Sequence, residues 1–186
     1  MLPVSNNNSG GDRSISIGKA TIVRAQNISG QQLAYMKYPC DLGVSLTLEV
    51  GQSFQPELNI TGNFTKDEAG EPKGWGSAFK VRDFFIQMGV DNATLTNALN
   101  EGSGVPEAAM ETPIGKEVFR LSYVTGRKSD GRLKYSDWSE VATVEQGAEY
   151  LLKRFRESVA RGYPKNYAPE AVADDTTSFP IVTYAV

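Results

Sequence analysis

The sequence predicts a mainly β domain of the α+β class, a small five-stranded barrel with helices between its third and fourth strands and a C-terminal helix. Three observations lead to this prediction. Apolar and polar side chains alternate along several stretches. These stretches form a group of three and a group of two, and helical spacing of apolar residues separates the groups and follows the second. A chain of 186 residues, 40% of them hydrophobic, suits one globular domain.

The first three strands are predicted before residue 65. Residues 14–27 are rich in Ile, Val and Thr, with Gly18 as an expected bulge. Residues 44–50 alternate between apolar and polar side chains, and residues 54–64 repeat the alternation after a turn. Pro56 lies near the start of this third strand, where a missing backbone donor is tolerated.

Helices are predicted in the middle of the chain. Residues 67–76 are expected to form a flexible loop, after which Ser77 caps a helix that ends at Gly89. The apolar residues of this helix recur with helical spacing, and a shorter helix follows at 94–100. These helices separate the first three strands from the last two.

The last two strands are predicted at 117–125 and 133–142, around a loop that contains an Asp-Gly turn dipeptide. Thr143 and Gln146 then have the spacing of a capping box ahead of an amphipathic helix. The end of the domain is therefore a hairpin followed by a helix.

Five strands in this order, with a helix between the third and the fourth, are the order of an OB-fold, a small Greek-key barrel. A sheet capped by helices fits the strand count almost as well. We place the domain at residues 13–162. A polar tail at 1–12 and a mildly acidic, Pro-containing tail at 163–186 are expected to be flexible.

The composition excludes much of enzyme chemistry. The chain has no His and a single Cys, Cys40. It therefore has no His-activated nucleophile, no imidazole ligand, no intramolecular disulfide and no Cys-rich zinc site. Carboxylates alone can hold Mg²⁺, but nothing in the spacing of Asp83, Asp137 and Glu140 brings these candidates together. We expect a protein that is not an enzyme and needs neither a cofactor nor a metal.

The sequence also predicts a soluble protein. No apolar run approaches the roughly 18 residues that cross a bilayer, and the N-terminal dozen residues lack the features of a secretory signal. We expect a cytoplasmic location and no membrane partner. The net charge of 19 − 22 = −3 indicates no particular partner, and assembly into a homo-oligomer stays open.

Positive charge is concentrated between residues 116 and 134. Six bases and two acids give this stretch a net charge of 6 − 2 = +4, in a chain whose total is −3. The bases are Lys116, Arg120, Arg127, Lys128, Arg132 and Lys134. A mobile cationic loop can follow a phosphate backbone, and the connection between strands 4 and 5 of an OB-fold is one of its nucleic-acid-binding loops.

Aromatic residues lie among these charges. If Phe119, Leu121 and Tyr123 face the barrel interior, Arg120 faces out, and Trp138 faces out on the next strand. We prefer this phase because the opposite one buries Arg120. An exposed indole beside cations is a platform for stacking unpaired bases, although a strand aromatic is more often part of a core. The further candidates for stacking and phosphate contact are Trp75, Tyr38 and Lys37.

Three segments of the chain resemble a known family. LTLEVGQSFQPELNITGNF, GWGSAFKVRDFF and RLSYVTGRKSDGRLKYSDWSEV are similar to bacteriophage-encoded single-stranded DNA-binding proteins with an OB-fold. The similarity covers roughly residues 44–142. It implies a non-enzymatic accessory protein of phage DNA replication or recombination that coats exposed strands.

The C-terminal segment is similar to the acidic, Phe-Pro-containing tails by which bacterial single-stranded DNA-binding proteins recruit partners. The matching residues are Asp174, Asp175 and Phe179, followed by Pro180. The segment departs from that pattern because it has only two acids and continues to Val186. The resemblance implies recruitment of replication or recombination proteins, and the alternative is an acidic end that aids solubility.

Together these observations predict a sequence-tolerant single-stranded DNA-binding protein, in which cations neutralise phosphates and aromatic rings stack bases. One alternative is a virion or assembly protein whose barrel mediates protein contacts. Another is a Mg²⁺-dependent nuclease. The expected phosphate ligands are Arg120, Arg127, Lys128, Arg132 and Lys134.

Overall fold

The computed structural model describes residues 13–101 and 104–173. The strands in this part of the chain are β1 Ile15–Asn27, β2 Leu42–Glu49, β3 Glu57–Gly62, β4 Thr65–Lys66, β5 Pro72–Gly74, β6 Glu117–Arg127 and β7 Leu133–Thr143. The helices are α1 Phe79–Gln87, α2 Asn92–Glu101, α3 Glu107–Met110, α4 Gly147–Ala160 and α5 Glu170–Ala173. A 3-10 turn at Gly76–Ala78 leads into α1.

Five strands form one antiparallel sheet in the order β3-β2-β1-β6-β7. The long strand β1 is shared between two neighbours, because residues 15–21 pair with β6 and residues 21–27 pair with β2. The two outer strands, β3 and β7, lie beside each other, so the sheet is nearly closed into a barrel. This order is that of an OB-like fold, which confirms the predicted fold class.

The barrel encloses the main hydrophobic core. Val44, Leu46 and Leu48 of β2 are fully buried in it, as their alternation with polar residues predicts. Phe84 and Phe85 of α1 belong to the same core. The helix between the third and fourth strands of the barrel is therefore held by direct packing against the barrel interior.

Strand β6 is buried on both of its faces. Val118 belongs to the barrel core, whereas Phe119, Leu121 and Tyr123 pack on the opposite face, under α4. The predicted strand phase, with these last three side chains inside the barrel, is therefore wrong. The cause is α4, which adds a second cluster outside the barrel. That cluster consists of Leu121, Tyr123, Trp138, Ala142, Leu151 and Phe155.

The predicted capping box precedes α4. The side chain of Thr143 accepts a hydrogen bond from the backbone N–H of Gln146 at 3.1 Å, and the side chain of Gln146 accepts one from the N–H of Thr143 at 2.9 Å. The reciprocal bonds satisfy donors that have no partner within the helix. They fix the corner at which the chain leaves β7 and turns back over β6.

Two predictions about local structure in the first half of the chain are wrong. Gly18 pairs in regular register with Arg120, and the irregularity in β1 lies between Ile22 and Arg24. Residues 67–76 are not a loop throughout, because they contribute to the β4–β5 hairpin. The turn of that hairpin is closed by the side chain of Asp67, which accepts the N–H groups of residues 69 and 71 at 2.9 Å each.

Ser77 does not cap α1. Its hydroxyl oxygen accepts the N–H of Asn63 at 2.9 Å, and the residue before the helix, Ala78, makes no side-chain capping bond. Gly89 follows the end of α1 with φ +100°, a left-handed conformation that glycine adopts without strain. The predicted C-terminal end of this helix is therefore correct and its predicted cap is not.

Residues 163–173 are packed against the barrel. The N–H of Ala168 donates to the carbonyl of Val124 at 2.9 Å, and the hydroxyl groups of Tyr167 and Ser14 are 2.7 Å apart. The ring of Tyr167 lies 5.3 Å from that of Phe155. The prediction of a flexible tail is therefore wrong for these residues. The rest of that tail, 174–186, and the tail predicted at 1–12 lie outside the described residues.

Within the described ranges, none of the helices combines the length and the hydrophobicity that crossing a bilayer requires.

Candidate nucleic-acid interface

The β6–β7 hairpin ends in a well-defined turn. The N–H of Lys128 donates to the carbonyl of Arg132 at 2.8 Å, and the N–H of Gly131 donates to the carbonyl of Lys128 at 3.0 Å. Gly131 has φ +83°, which explains a glycine at this position. The expected loop is thus a turn with a hydrogen-bonded backbone, from which exposed cationic side chains project.

Four predicted phosphate ligands lie on this hairpin. Arg127 donates to the carbonyl oxygens of Gly131 and Ala171, so part of its hydrogen-bonding capacity is used. Lys128 and Lys134 are exposed and have no ion pair among the residues that the structure describes. These two ammonium groups are the hairpin cations without an ion pair in that part of the chain, although Lys128 is near enough to Asp130 to help lower the pKa of its carboxyl.

The fourth cation, Arg132, is paired with an acid on the same turn. Its guanidinium lies 2.6 Å from the carboxylate of Asp130, which also accepts the N–H of Arg132 at 3.0 Å. The hydrogen bond from the Arg132 side chain holds the pKa of Asp130 below its ordinary value. Arg132 keeps 76% of its side chain exposed, so it remains within reach of a ligand.

Arg120 is not the free cation that the sequence predicted. Its side chain is 15% exposed and forms a short ion pair with Asp137, whose carboxylate also accepts the hydroxyl of Ser122 at 2.7 Å. The ring of Phe54 covers the guanidinium at 5.6 Å. The expectation that Arg120 faces outward as a free cation is therefore wrong, because Asp137 already compensates its charge.

Trp138 is not a surface platform either. It is 7% exposed and packs edge-to-face on Phe155 of α4, with ring centroids 5.3 Å apart. The neighbouring Tyr123 lies in the same cluster, and burial raises the pKa of its hydroxyl. The prediction that the Trp138 indole faces solvent is therefore wrong, since α4 covers the outer face of β7.

Trp75 is half-buried between the β4–β5 hairpin and α1. Its ring lies 5.8 Å from that of Phe64, and the guanidinium of Arg82 stands over it at 5.1 Å. Part of the indole packs against the barrel core. A base that stacks on Trp75 must therefore lie beside the guanidinium of Arg82 on the ring or displace it.

Lys37 and Tyr38 lie in the connection between β1 and β2. Tyr38 is 64% exposed, and the ammonium of Lys37 stands 5.2 Å from the centre of its ring. The connection is anchored by Cys40, which is 1% exposed and exchanges backbone hydrogen bonds with residues 30 and 31. Burial raises the pKa of the Cys40 thiol. Both predicted residues are therefore accessible on an anchored segment.

The structure does not bring all the predicted residues together. The β1–β2 connection follows the end of β1, whereas the β6–β7 hairpin projects beyond its start, because β1 and β6 are antiparallel. A strand of 13 residues spans up to about 40 Å. Lys37 and Tyr38 are therefore separated from the hairpin cations by the length of β1. The predicted tail residues Asp174, Asp175 and Phe179 lie outside the described part of the chain.

Several exposed aromatic residues are not among the predicted site residues, including Tyr35, Phe54 and Tyr135. Phe54 is 54% exposed in the β2–β3 turn, and Tyr135 is 44% exposed on β7. For Phe54 a signal was available, since the Gly-Gln-Ser turn before it and Pro56 after it leave little room for a strand to begin.

Each candidate carboxylate for a metal site is already paired with an arginine. Asp83 pairs with Arg82 at 2.8 Å and Glu140 with Arg154 at 3.1 Å, while Asp137 is held by Arg120. Among the described residues no group of three or more Cys, Asp or Glu side chains is placed to hold a metal ion.

Comparison of the chain with protein-family models, with curated proteins and with solved structures gives no match.

Proposed function

We propose that this protein binds single-stranded DNA without strong sequence preference, in phage DNA replication or recombination. A protein with this task works in the cytoplasm of the host cell. The replication or recombination role rests on the resemblance of residues 44–142 to phage single-stranded DNA-binding proteins. The binding itself is supported independently, by the placement of charge on the barrel.

The observation that carries the proposal is the cationic β6–β7 hairpin. Its four bases and one acid, Asp130, give 4 − 1 = +3, although the whole chain has a net charge of −3. In an OB-fold this hairpin is one of the loops beside the ligand-binding face. A turn on which four cations outnumber one carboxylate lowers the free energy of a nearby phosphate chain.

The second connection suits the same ligand. Tyr35 and Tyr38 are 70% and 64% exposed between β1 and β2, and such rings stack unpaired bases at about 1–3 kcal/mol each. A strand that touches both this connection and the hairpin follows the length of β1. That path is compatible with the roughly 4–16 nucleotides that one OB-fold occupies.

The test is a binding titration with fluorescein-labelled oligothymidylate of about 20 nucleotides, repeated over a range of salt concentrations. The double variant Lys128→Ala, Lys134→Ala should weaken binding and reduce the slope of log K against log salt by about 1.4, since each contact to a single strand contributes about 0.7. Unlabelled duplex of the same length should compete poorly, because its bases offer no open faces.

The matched control is the double variant Lys153→Ala, Arg156→Ala on α4. Both side chains are exposed and have no ion pair within the described ranges, so the change in net charge is the same. This control should keep the wild-type slope. Equal losses in both double variants would mean that only overall charge matters, and no binding at low salt would refute the proposal.

The same titration separates the alternatives. A virion or assembly protein would form a stable oligomer and leave the oligonucleotide free. A nuclease would shorten the labelled strand in the presence of Mg²⁺ and stop on addition of EDTA.

A further inference from the structure

The first half of β1 has a partner strand on one side only. Residues 15–21 pair with β6, but pairing with β2 begins at Thr21. After the end of β2 the chain leaves the sheet, since Val50 forms a bridge to Phe54 and not to β1. The backbone of residues 15–19 is therefore an open edge of the sheet, which we call the β1 edge.

The hydrogen bonds of β1 show which backbone groups point to this edge. The carbonyl of Ser14 accepts the N–H of Val124 at 2.8 Å, so the even-numbered residues of this half of β1 exchange their bonds with β6. The odd-numbered residues point the other way. Among the described residues, no hydrogen-bond partner is present for the backbone N–H and C=O groups of Ile15, Ile17 and Lys19.

The β1 edge lacks the features that usually protect a sheet edge from pairing, which are charges, proline, bulges or a twist away from other chains. It contains no proline, and it pairs with β6 in regular register. Its one charged residue, Lys19, already forms an ion pair with Glu117 at 2.8 Å. Ser16 is exposed, and a Cβ atom built on Gly18 would meet no atom within 4 Å. Another extended chain can therefore approach this edge.

The β1 edge is complementary to itself. In an antiparallel pair of two such edges centred on Ile17, this residue faces its own counterpart and Ile15 faces Lys19. The donors of each edge then meet the acceptors of the other. Between these positions Ser16 faces Gly18, so only small residues meet there. Because each lysine faces an isoleucine, the two ammonium groups lie about 13 Å apart along the sheet and not opposite each other.

We propose that the β1 edge joins two copies of this chain into a symmetric dimer, in which residues 15–19 of both copies form one antiparallel ladder centred on Ile17. A two-fold axis through this point relates the copies, so the same residues serve on both sides. The inference goes beyond the proposed function, since the contact needs no DNA. The β6–β7 hairpin projects beyond the start of β1, so the dimer carries one cationic hairpin at each end of the ladder.

Sedimentation velocity over a range of protein concentrations measures this association without DNA. Wild type should approach twice the mass of one chain as its concentration rises. Ile17→Pro removes the central donor from both copies and breaks no bond to β6, because this N–H points away from β6. The matched control, Ile17→Ala, loses the same side chain and keeps the N–H. The dimer dissociation constant should be roughly 5- to 150-fold higher for the proline variant than for the control, the equivalent of about 1–3 kcal/mol for two lost hydrogen bonds.

Cysteine variants test the register, and they decide the question if the proline variant unfolds. Two residues that face each other as a hydrogen-bonded pair have Cα atoms about 5.5 Å apart, which is within the range of a disulfide. Ile17→Cys should therefore form a disulfide-linked dimer on mild oxidation. The matched control, Lys19→Cys, replaces a more exposed residue that lies about 13 Å from its counterpart, so it should stay unlinked. Cys40 is 1% exposed and should not take part.

The outcomes are distinguishable. A wild type that stays monomeric at every concentration would overturn the inference, and so would equal dissociation constants for the two variants of Ile17 or equal linking of the two cysteine variants. Circular dichroism and urea unfolding of dilute protein report whether the barrel of each variant is intact. The oligothymidylate titration is independent of these results: a monomer that binds the strand refutes only the dimer, and a dimer that leaves the strand unbound at low salt refutes only the proposed function.

Discussion

Replacement of Trp138 separates a structural role for this residue from a role in binding. The side chain is 7% exposed and packs on Phe155, so Trp138→Ala removes a buried ring and leaves a cavity under α4. Such truncations cost about 3–5 kcal/mol, out of a total unfolding free energy of about 5–15 kcal/mol. At about 2–4 °C per kcal/mol for a chain of this size, the melting temperature should fall by roughly 6–20 °C.

Urea unfolding followed by circular dichroism measures this loss. The midpoint should move to lower urea with the slope m unchanged, because the same surface is exposed on unfolding. Trp138→Phe, which keeps a ring against Phe155, should recover most of the stability and bind oligothymidylate within about twofold of wild type. If Trp138→Ala unfolds at the wild-type midpoint but loses oligonucleotide affinity, the indole is a surface residue and the assignment of β7 faces is wrong.

Three further predictions concern other parts of the chain. Asp130→Asn should tighten oligonucleotide binding and steepen the salt slope by about 0.7, since Arg132 gains a phosphate. Because the folded-state pKa of Asp130 is lowered, its ion pair persists above the ordinary carboxyl pKa and is lost as pH falls through the lower value; NMR titration of the carboxyl checks this. Gly62→Ala should lower the urea midpoint, because the new Cβ meets the backbone of Ser77, whereas Gly18→Ala should leave it unchanged. The Cys40 thiol, buried and with a raised pKa, should react with a thiol reagent only at the rate of unfolding.

Strand order could be predicted from the sequence because it depends on local patterns. Apolar and polar residues alternate in β2 because one face of the strand packs against the core. Thr143 and Gln146 have the residue types and the spacing of a capping box, which the sequence shows directly. The hairpin turn is likewise set by neighbouring residues, with Gly131 at the left-handed position. These elements needed no knowledge of distant parts of the chain.

The faces of β6 and β7 could not be predicted in this way. A strand that is buried on both sides gives no alternation, and what covers its outer side is α4, which follows β7 along the chain. An outward Arg120 avoids the burial of a charge, but its ion pair with Asp137 makes that burial tolerable. Trp138 was expected at the surface for the same reason, since the covering by α4 is not visible in the pattern of β7. The sequence thus predicted the exposure of the cations at the tip of the β6–β7 hairpin. It did not predict the burial of Arg120 and Trp138 on the two strands.

The sharing of β1 between two partners has a consequence for synthesis of the protein. On the ribosome, β1, β2 and β3 are complete before β6 has been translated, so residues 15–21 wait with unpaired backbone groups for a strand that is about 100 residues away. Such a distant pairing slows folding, and the waiting edge can capture a segment of another chain. Expression at low temperature, or with chaperones that shield nascent edges, should therefore raise the yield of native protein.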